Sequence, residues 1–164
     1  KKKYVAPFIK ANLRSNPKGV LTSVNDYMSN LKNSYFNALD FSNKTLMNSS
    51  FLTNKILEYV FYINFSDDKK TQQKLFKQSL ETVISKIDSQ SYKKDVIEFL
   101  IEEFEASKNL EIIDYLFDNY YNKLPENLQD YMHLVSYLLY LLNLLTTHLL
   151  YLPKRADLPS SELL

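Results

Sequence analysis

Apolar residues along this chain recur at intervals of three and four, the spacing that gathers side chains on one face of an α-helix. Leu52, Ile56, Val60 and Ile63 form one such series, and Leu75, Leu80, Val83, Ile84 and Ile87 form the next. Val96, Phe99, Leu100 and Phe104 follow, then Ile112, Ile113, Leu116, Phe117 and Tyr120. The pattern predicts five or six amphipathic helices in succession.

The segments between them are short and polar. "RSNPKG", Arg14 to Gly19, reads as a turn, after which Thr22 is placed to cap a helix running to about Ala38. "FSDDKK" separates the second and third helices and offers Ser66 or Asp67 as the next cap, and "IDSQSY" plays the same part before the fourth. Pro125 in "KLPENLQD" suits the first turn of a helix, with Glu126 near the positive end of the helix dipole. Gly19 is the single glycine, whereas hairpin-rich β folds use glycine repeatedly where turns need positive φ. The expected fold class is therefore all-α: a single-domain bundle or stacked helical hairpins of about six helices, without a significant sheet. Residues 1–20 read as an extended lead-in, 21–152 as the helical domain, and 153–164 as a C-terminal tail or the start of a linker to a further domain. No fixed-period repeat stands out, although helix pairs joined by short turns suit TPR-like stacking.

The final helical stretch differs from the others. From Tyr131 to Leu152 there is no charged residue, and Lys154 and Arg155 follow. A helix of that length is long enough to span hydrocarbon. Membrane spans, however, tend to be apolar all round, and here His133, Ser136, Tyr140, Asn143, Thr147 and Tyr151 fall within a sector of about 80°. The pattern favours a core helix over a docking helix for a partner, and both over a membrane segment. The first five of these residues are the candidate interaction stripe.

Composition narrows the function. The 164 residues hold 20 Lys+Arg against 19 Asp+Glu, so no bulk positive field points to nucleic acid, and Arg14 and Arg155 are the only arginines. A nucleic-acid partner is not expected. Cysteine is absent, which removes thiolate metal sites, cysteine nucleophiles and CxxC pairs from this chain. "KKKYVAPFIK" at the start lacks the apolar core of a signal peptide. A chain of this length buries roughly two thirds of its unfolded surface and needs no metal or disulfide to fold.

No catalytic, cofactor-binding or metal site is assigned. His133 and His148 would lie roughly 22 Å apart on one helix, too far to share an ion. Glu98, Glu102 and Glu105 lack an accompanying histidine and read as a solvated face. Asp114 and Asp118 form a like-charged pair for which the sequence gives no reason to expect a raised pKa. Tyr120 and Tyr121 close a helix so that one ring points outward, although such tyrosines usually bury the ring and wet the hydroxyl. Asn43, Asn48 and Asn64 begin glycosylation sequons that matter only in a eukaryotic secretory setting.

One long stretch resembles a known family. In "NSYFNALDFSNKTLMNSSFLTNKILEYV", Tyr35, Phe36, Asp40, Phe41, Ser42, Leu46, Phe51, Asn54, Lys55, Ile56 and Tyr59 stand where matching residues stand in a helical domain of Gram-negative envelope proteins. That domain precedes a C-terminal thioredoxin-like domain of the TlpA/ResA type. "YVAPFIKANL" is similar to the family's lead-in, and "DVIEFLIEEFEASKNLEIIDYLFDNYY" resembles its later helices, including Ser107-Lys108 and the closing Tyr120-Tyr121. The likeness covers about Tyr4 to Lys123. It implies a non-catalytic accessory domain, periplasmic or in the cell envelope, that positions a thiol-disulfide oxidoreductase or recognises its substrates and partners. The partner would be a protein or the chain's own thioredoxin-like domain, with membrane contact only through an anchor of the parent protein. The alternative expected from the helices alone is a freestanding α-helical adaptor for protein–protein interaction.

Overall fold

Side-chain oxygens mark where most of the helices begin. A computed structural model of the chain describes residues 2–13, 23–129, 138, 141–142 and 145–146. Among these are seven α-helices, one π-helical segment and two short 3₁₀ turns, with no strand. The all-α expectation is met.

Helix α1 spans Lys2–Asn12, so the segment expected to be an extended lead-in is largely helical, with Pro7 inside it. The sequence pattern misses it because an internal proline usually ends a helix. Helix α2, Val24–Ser34, is capped by Ser23, whose hydroxyl accepts from the Asp26 amide at 3.1 Å. The expected cap, Thr22, lies outside the described residues. The helix also stops short of Ala38, and residues 35–38 form turns that bring Phe36 and Leu39 into the core. In α3, Lys44–Met47, Asn43 accepts from the amides of Thr45 and Leu46. Helix α5, Lys69–Ile84, is capped by Asp68, not by Ser66 or Asp67, through a 2.8 Å bond from the Thr71 amide. Asp68 precedes the helix and places its carboxylate at the positive dipole end. Ser89 caps α6, Gln90–Ala106, as the sequence suggests.

Helix α4, Ser50–Leu57, runs without a break into the π-helical segment Glu58–Ile63. A wider turn needs its loosened carbonyls satisfied, and Asn64 does this from within the core. It is 6 % exposed and its amide donates to the Tyr59 carbonyl at 2.8 Å, five residues back. Gln72 of α5 donates in turn to the Asn64 carbonyl at 3.1 Å and accepts from the Ser66 amide. The turn carries Tyr59, Val60, Ile63 and Asn64 inward together.

The end of α6 is a Schellman motif. The Asn109 amide bonds to the Phe104 carbonyl and the Lys108 amide to that of Glu105, both at 2.9 Å. Lys108 takes φ 55°, the left-handed position that glycine occupies without strain. This hairpin turns the chain into α7, Leu110–Asn119.

The core follows the predicted series closely. Leu52, Ile56, Val60 and Ile63 are buried, as are Leu80, Val83, Ile84 and Ile87, Val96, Leu100 and Phe104, and Ile112, Ile113, Leu116 and Phe117. Leu75 and Phe99 are only half-buried, and Ile97 and Ile101 complete the inward face of α6 instead. Helix α7 packs on α5 and α6, the π-helical segment on α2 and α5, and α1 on α3. After α7, Tyr121–Lys123 and Glu126–Leu128 form the two 3₁₀ turns, the second closed by the Leu128 amide on the Pro125 carbonyl.

All of these elements belong to one compact unit, Lys1–Leu128, while Gln129–Leu164 forms a second. The boundary falls just past the Pro125 turn, inside the stretch 21–152 that the sequence reads as one domain. Proline cannot continue a ladder of helix hydrogen bonds, and the pattern of apolar residues gives no sign of the change. Among the described residues, no helix is long and apolar enough to cross a membrane.

Lys108→Gly is expected to stabilise the chain by about 0.5–1 kcal/mol through relief of the left-handed backbone. Asn64→Ala should cost about 1–3 kcal/mol, because it leaves the Tyr59 carbonyl buried without its donor. Urea unfolding of each variant checks both, and opposite signs are the expected result.

Candidate functional site

The interaction stripe His133, Ser136, Tyr140, Asn143 and Thr147 lies outside the described residues, as does His148. Five neighbours on the same stretch are described, and all five are helical: Leu138, Leu141, Leu142, Leu145 and Thr146. Leu138, Leu142 and Leu145 are exposed by 55 %, 58 % and 60 %. They are spaced by four and three residues, so they share one face of a helix. The expectation of a core helix fails at these three positions. A single leucine on a surface is unremarkable, and these three are aligned.

A second surface is built by α5 and α7. Gln73 donates to the Asn109 side chain at 3.0 Å, and Lys77 pairs with Glu111 at 2.8 Å while lying 5.5 Å from the centre of the Tyr115 ring. These contacts tie the two helices along an open groove of about 950 Å³, whose rim carries Lys69, Lys70 and Lys74. The three lysines are exposed and stand in the first turns of α5, where the helix dipole disfavours cations. They offer point charges on flexible stems without the planar fork that reads carboxylate or phosphate geometry. Asp68, Glu81 and Glu111 line the same groove, so its charge is mixed.

The carboxylates and tyrosines resolve differently from their sequence reading. Glu98 is not on a solvated face: its side chain is 13 % exposed, pairs with Lys94 at 3.1 Å and accepts from the Tyr121 hydroxyl at 3.4 Å. Glu102, one turn on, is exposed. Tyr121 is buried against Phe117, with ring centres 5.3 Å apart. Tyr120 is half-buried, and its hydroxyl lies 3.5 Å from that of Tyr115. Burial, then Tyr115 and Glu81, push the Tyr120 hydroxyl well above its ordinary value, so it stays neutral.

Asp114 also departs from expectation. Desolvation raises its pKa, and the charge of Asp118 one turn further adds to the shift. The cause is the helix surface on which the pair sits, where neighbouring side chains remove water that a sequence cannot show. Tyr92 passed unnoticed in the sequence. Burial, aided by Asp95, pushes its hydroxyl up to about 12, and that oxygen finds no hydrogen-bond partner among the described residues. Asn64, named only as a sequon, is a buried capping residue and unavailable to a glycosyltransferase in the folded chain. Among the described residues, no three of His, Cys, Asp and Glu come together as metal ligands.

Comparison with known proteins finds no matching family model, no similar curated protein and no similar solved structure.

Because the folded chain holds the Asp114 proton more tightly than the unfolded chain, the ionised residue destabilises at neutral pH. Asp114 is exposed and solvent screens the effect, so Asp114→Asn should stabilise by only about 0.3 kcal/mol, the size of a like-charge pair one helical turn apart. The gain should disappear as pH falls below 3.8, where both states are protonated. Urea unfolding at neutral and at strongly acid pH measures this, and a gain that survives unchanged in acid would exclude ionisation as its source.

Proposed function

We propose that this chain is a non-catalytic helical accessory module that acts through contact with protein surfaces. The observation that carries this reading is the row of exposed leucines at 138, 142 and 145, on a stretch of the sequence free of charge. An apolar row of this kind loses free energy while it faces water and recovers it when another surface covers it. The resemblance of Tyr4 to Lys123 to the helical domain of TlpA/ResA-like envelope proteins supplies the setting. On that basis the module positions a thioredoxin-like thiol-disulfide oxidoreductase, or recognises its partners, in the periplasm or cell envelope. The redox chemistry would belong to a cysteine-bearing domain, since this chain has no cysteine.

The encoding DNA on both sides of the segment tests the setting directly. A CxxC-bearing domain soon after Leu164, with an export signal upstream, is the expected result. A stop codon at Leu164 would remove the redox assignment and leave a freestanding helical adaptor.

A further inference from the structure

Tyr62 and Phe65, at the carboxyl end of the π-helical segment, are 76 % and 62 % exposed, while Tyr59, Ile63 and Asn64 beside them are buried. Tyr62 forms one wall of a groove of about 390 Å³ with Leu57, Phe61, Glu103, Ala106 and Ser107. The groove therefore lies between the carboxyl ends of two helices, the continuous stretch 50–63 and α6. A helix carries partial negative charge at its carboxyl end, which a basic residue in the last turn commonly offsets. Neither of these ends has one. Glu103 adds a carboxylate that is half-buried and has no ion-pair partner among the described residues. Lys108, the nearest cation along the chain from α6, stands beyond the Schellman turn and does not line the groove. Apolar walls and an exposed ring thus coincide with negative potential, and none of the lining residues is basic.

We infer that this groove receives an arginine side chain, flanked by an apolar residue, from a partner polypeptide. A guanidinium stacks on an aromatic face while its aliphatic stem covers apolar surface, so one side chain answers both properties of the groove. The Tyr62 ring supplies the face, Glu103 and the two helix ends supply the countercharge, and Leu57 and Ala106 receive the apolar neighbour. A carboxylate beside a guanidinium strengthens the contact through charge-assisted hydrogen bonds. The α5–α7 groove differs in this respect, because lysines and carboxylates line it together and it selects neither sign of charge. The available volume suits a short stretch of peptide and not the face of a folded protein, which makes the contact weak and rapidly reversible. This surface belongs to the amino-terminal unit and is independent of the leucine row, so either can fail without the other.

Titration of the isotopically labelled full chain with the peptide acetyl-Leu-Arg-Leu-amide, followed by nitrogen–proton correlation NMR, tests the assignment. The expected result is dissociation in the millimolar range, with shifts centred on Leu57, Phe61, Tyr62, Ala106 and Ser107. Replacing the peptide's arginine by citrulline, which keeps the shape and removes the charge, should weaken binding by at least about fivefold. Tyr62→Leu, which keeps apolar bulk without the ring, and Glu103→Gln should each weaken it by at least about threefold. Unchanged spectra away from the groove show that both variants are folded, and if one is not, the other decides together with the citrulline comparison. An absence of shifts at millimolar peptide overturns the inference, as do shifts centred on the α5–α7 groove. Equal binding of the citrulline peptide also overturns it, because the groove would then read apolar shape alone. So does binding that both substitutions leave unchanged. Tetramethylammonium that binds as tightly as the peptide would make this a site for small cations and remove the polypeptide partner.

Discussion

The rings of Phe61, Phe76 and Phe104 meet at centre distances of 4.9, 5.0 and 5.6 Å, and most of the amino-terminal unit is organised around that contact. Each ring comes from a different element: the π-helical segment, α5 and α6. Two of the three pairs meet edge to face, where the positive rim of one ring faces the negative face of another. Phe104 is fully buried at the centre, and removing such a ring typically costs about 3–5 kcal/mol, a large share of the 5–15 kcal/mol that holds a domain folded. The same residue lends its carbonyl to the turn that launches α7. One side chain thus joins three elements, and its backbone directs a fourth.

The π-helical turn carries two separate sets of aromatic contacts. Phe61 reaches Phe76 and Phe104 while Tyr59, on the same turn, packs against Phe36 at 4.5 Å. The wider turn loosens the ladder of helix hydrogen bonds. Asn64 restores the lost hydrogen bonding from inside the core, which explains why a polar side chain is tolerated there. Tyr35 fastens the outer edge by donating to Glu58, which also receives Lys55 at 2.8 Å.

How much of this the sequence discloses depends on the range of the interaction. Helix class and the inward residues of α4 to α7 were legible, because burial imposes its period locally through Ile56, Val60, Leu80, Leu100 and Leu116. Caps were legible to within one or two residues, since Ser, Asp and Asn crowd each boundary and only geometry selects among Ser66, Asp67 and Asp68. The π turn was not legible, because it answers to aromatic partners more than ten residues away. Nor was the left-handed Lys108: local pattern leads one to expect glycine there, and the hydrogen bonds of the turn hold lysine in its place. The raised Asp114 and the inward Glu98 depend on neighbours that no spacing rule places. Of the candidate surface, the uncharged stretch was plain in the sequence, but its exposure was not, since leucine in a row reads first as core.

That ambiguity has a physical root. The free energy of covering a leucine is nearly the same whether the cover is the chain's own core or another chain, so composition alone cannot tell the two apart. What separates them is the opposite face. A fully internal helix gains by being apolar all round, whereas a helix that meets one partner along one seam leaves its far side to water. In the sequence of 131–152 the polar positions recur at helical spacing, and the described Leu138, Leu142 and Leu145 are exposed. With no Asp, Glu, Lys or Arg between 131 and 152, electrostatic steering has no handle on this stretch, so any surface that covers its leucines would be selected by apolar shape.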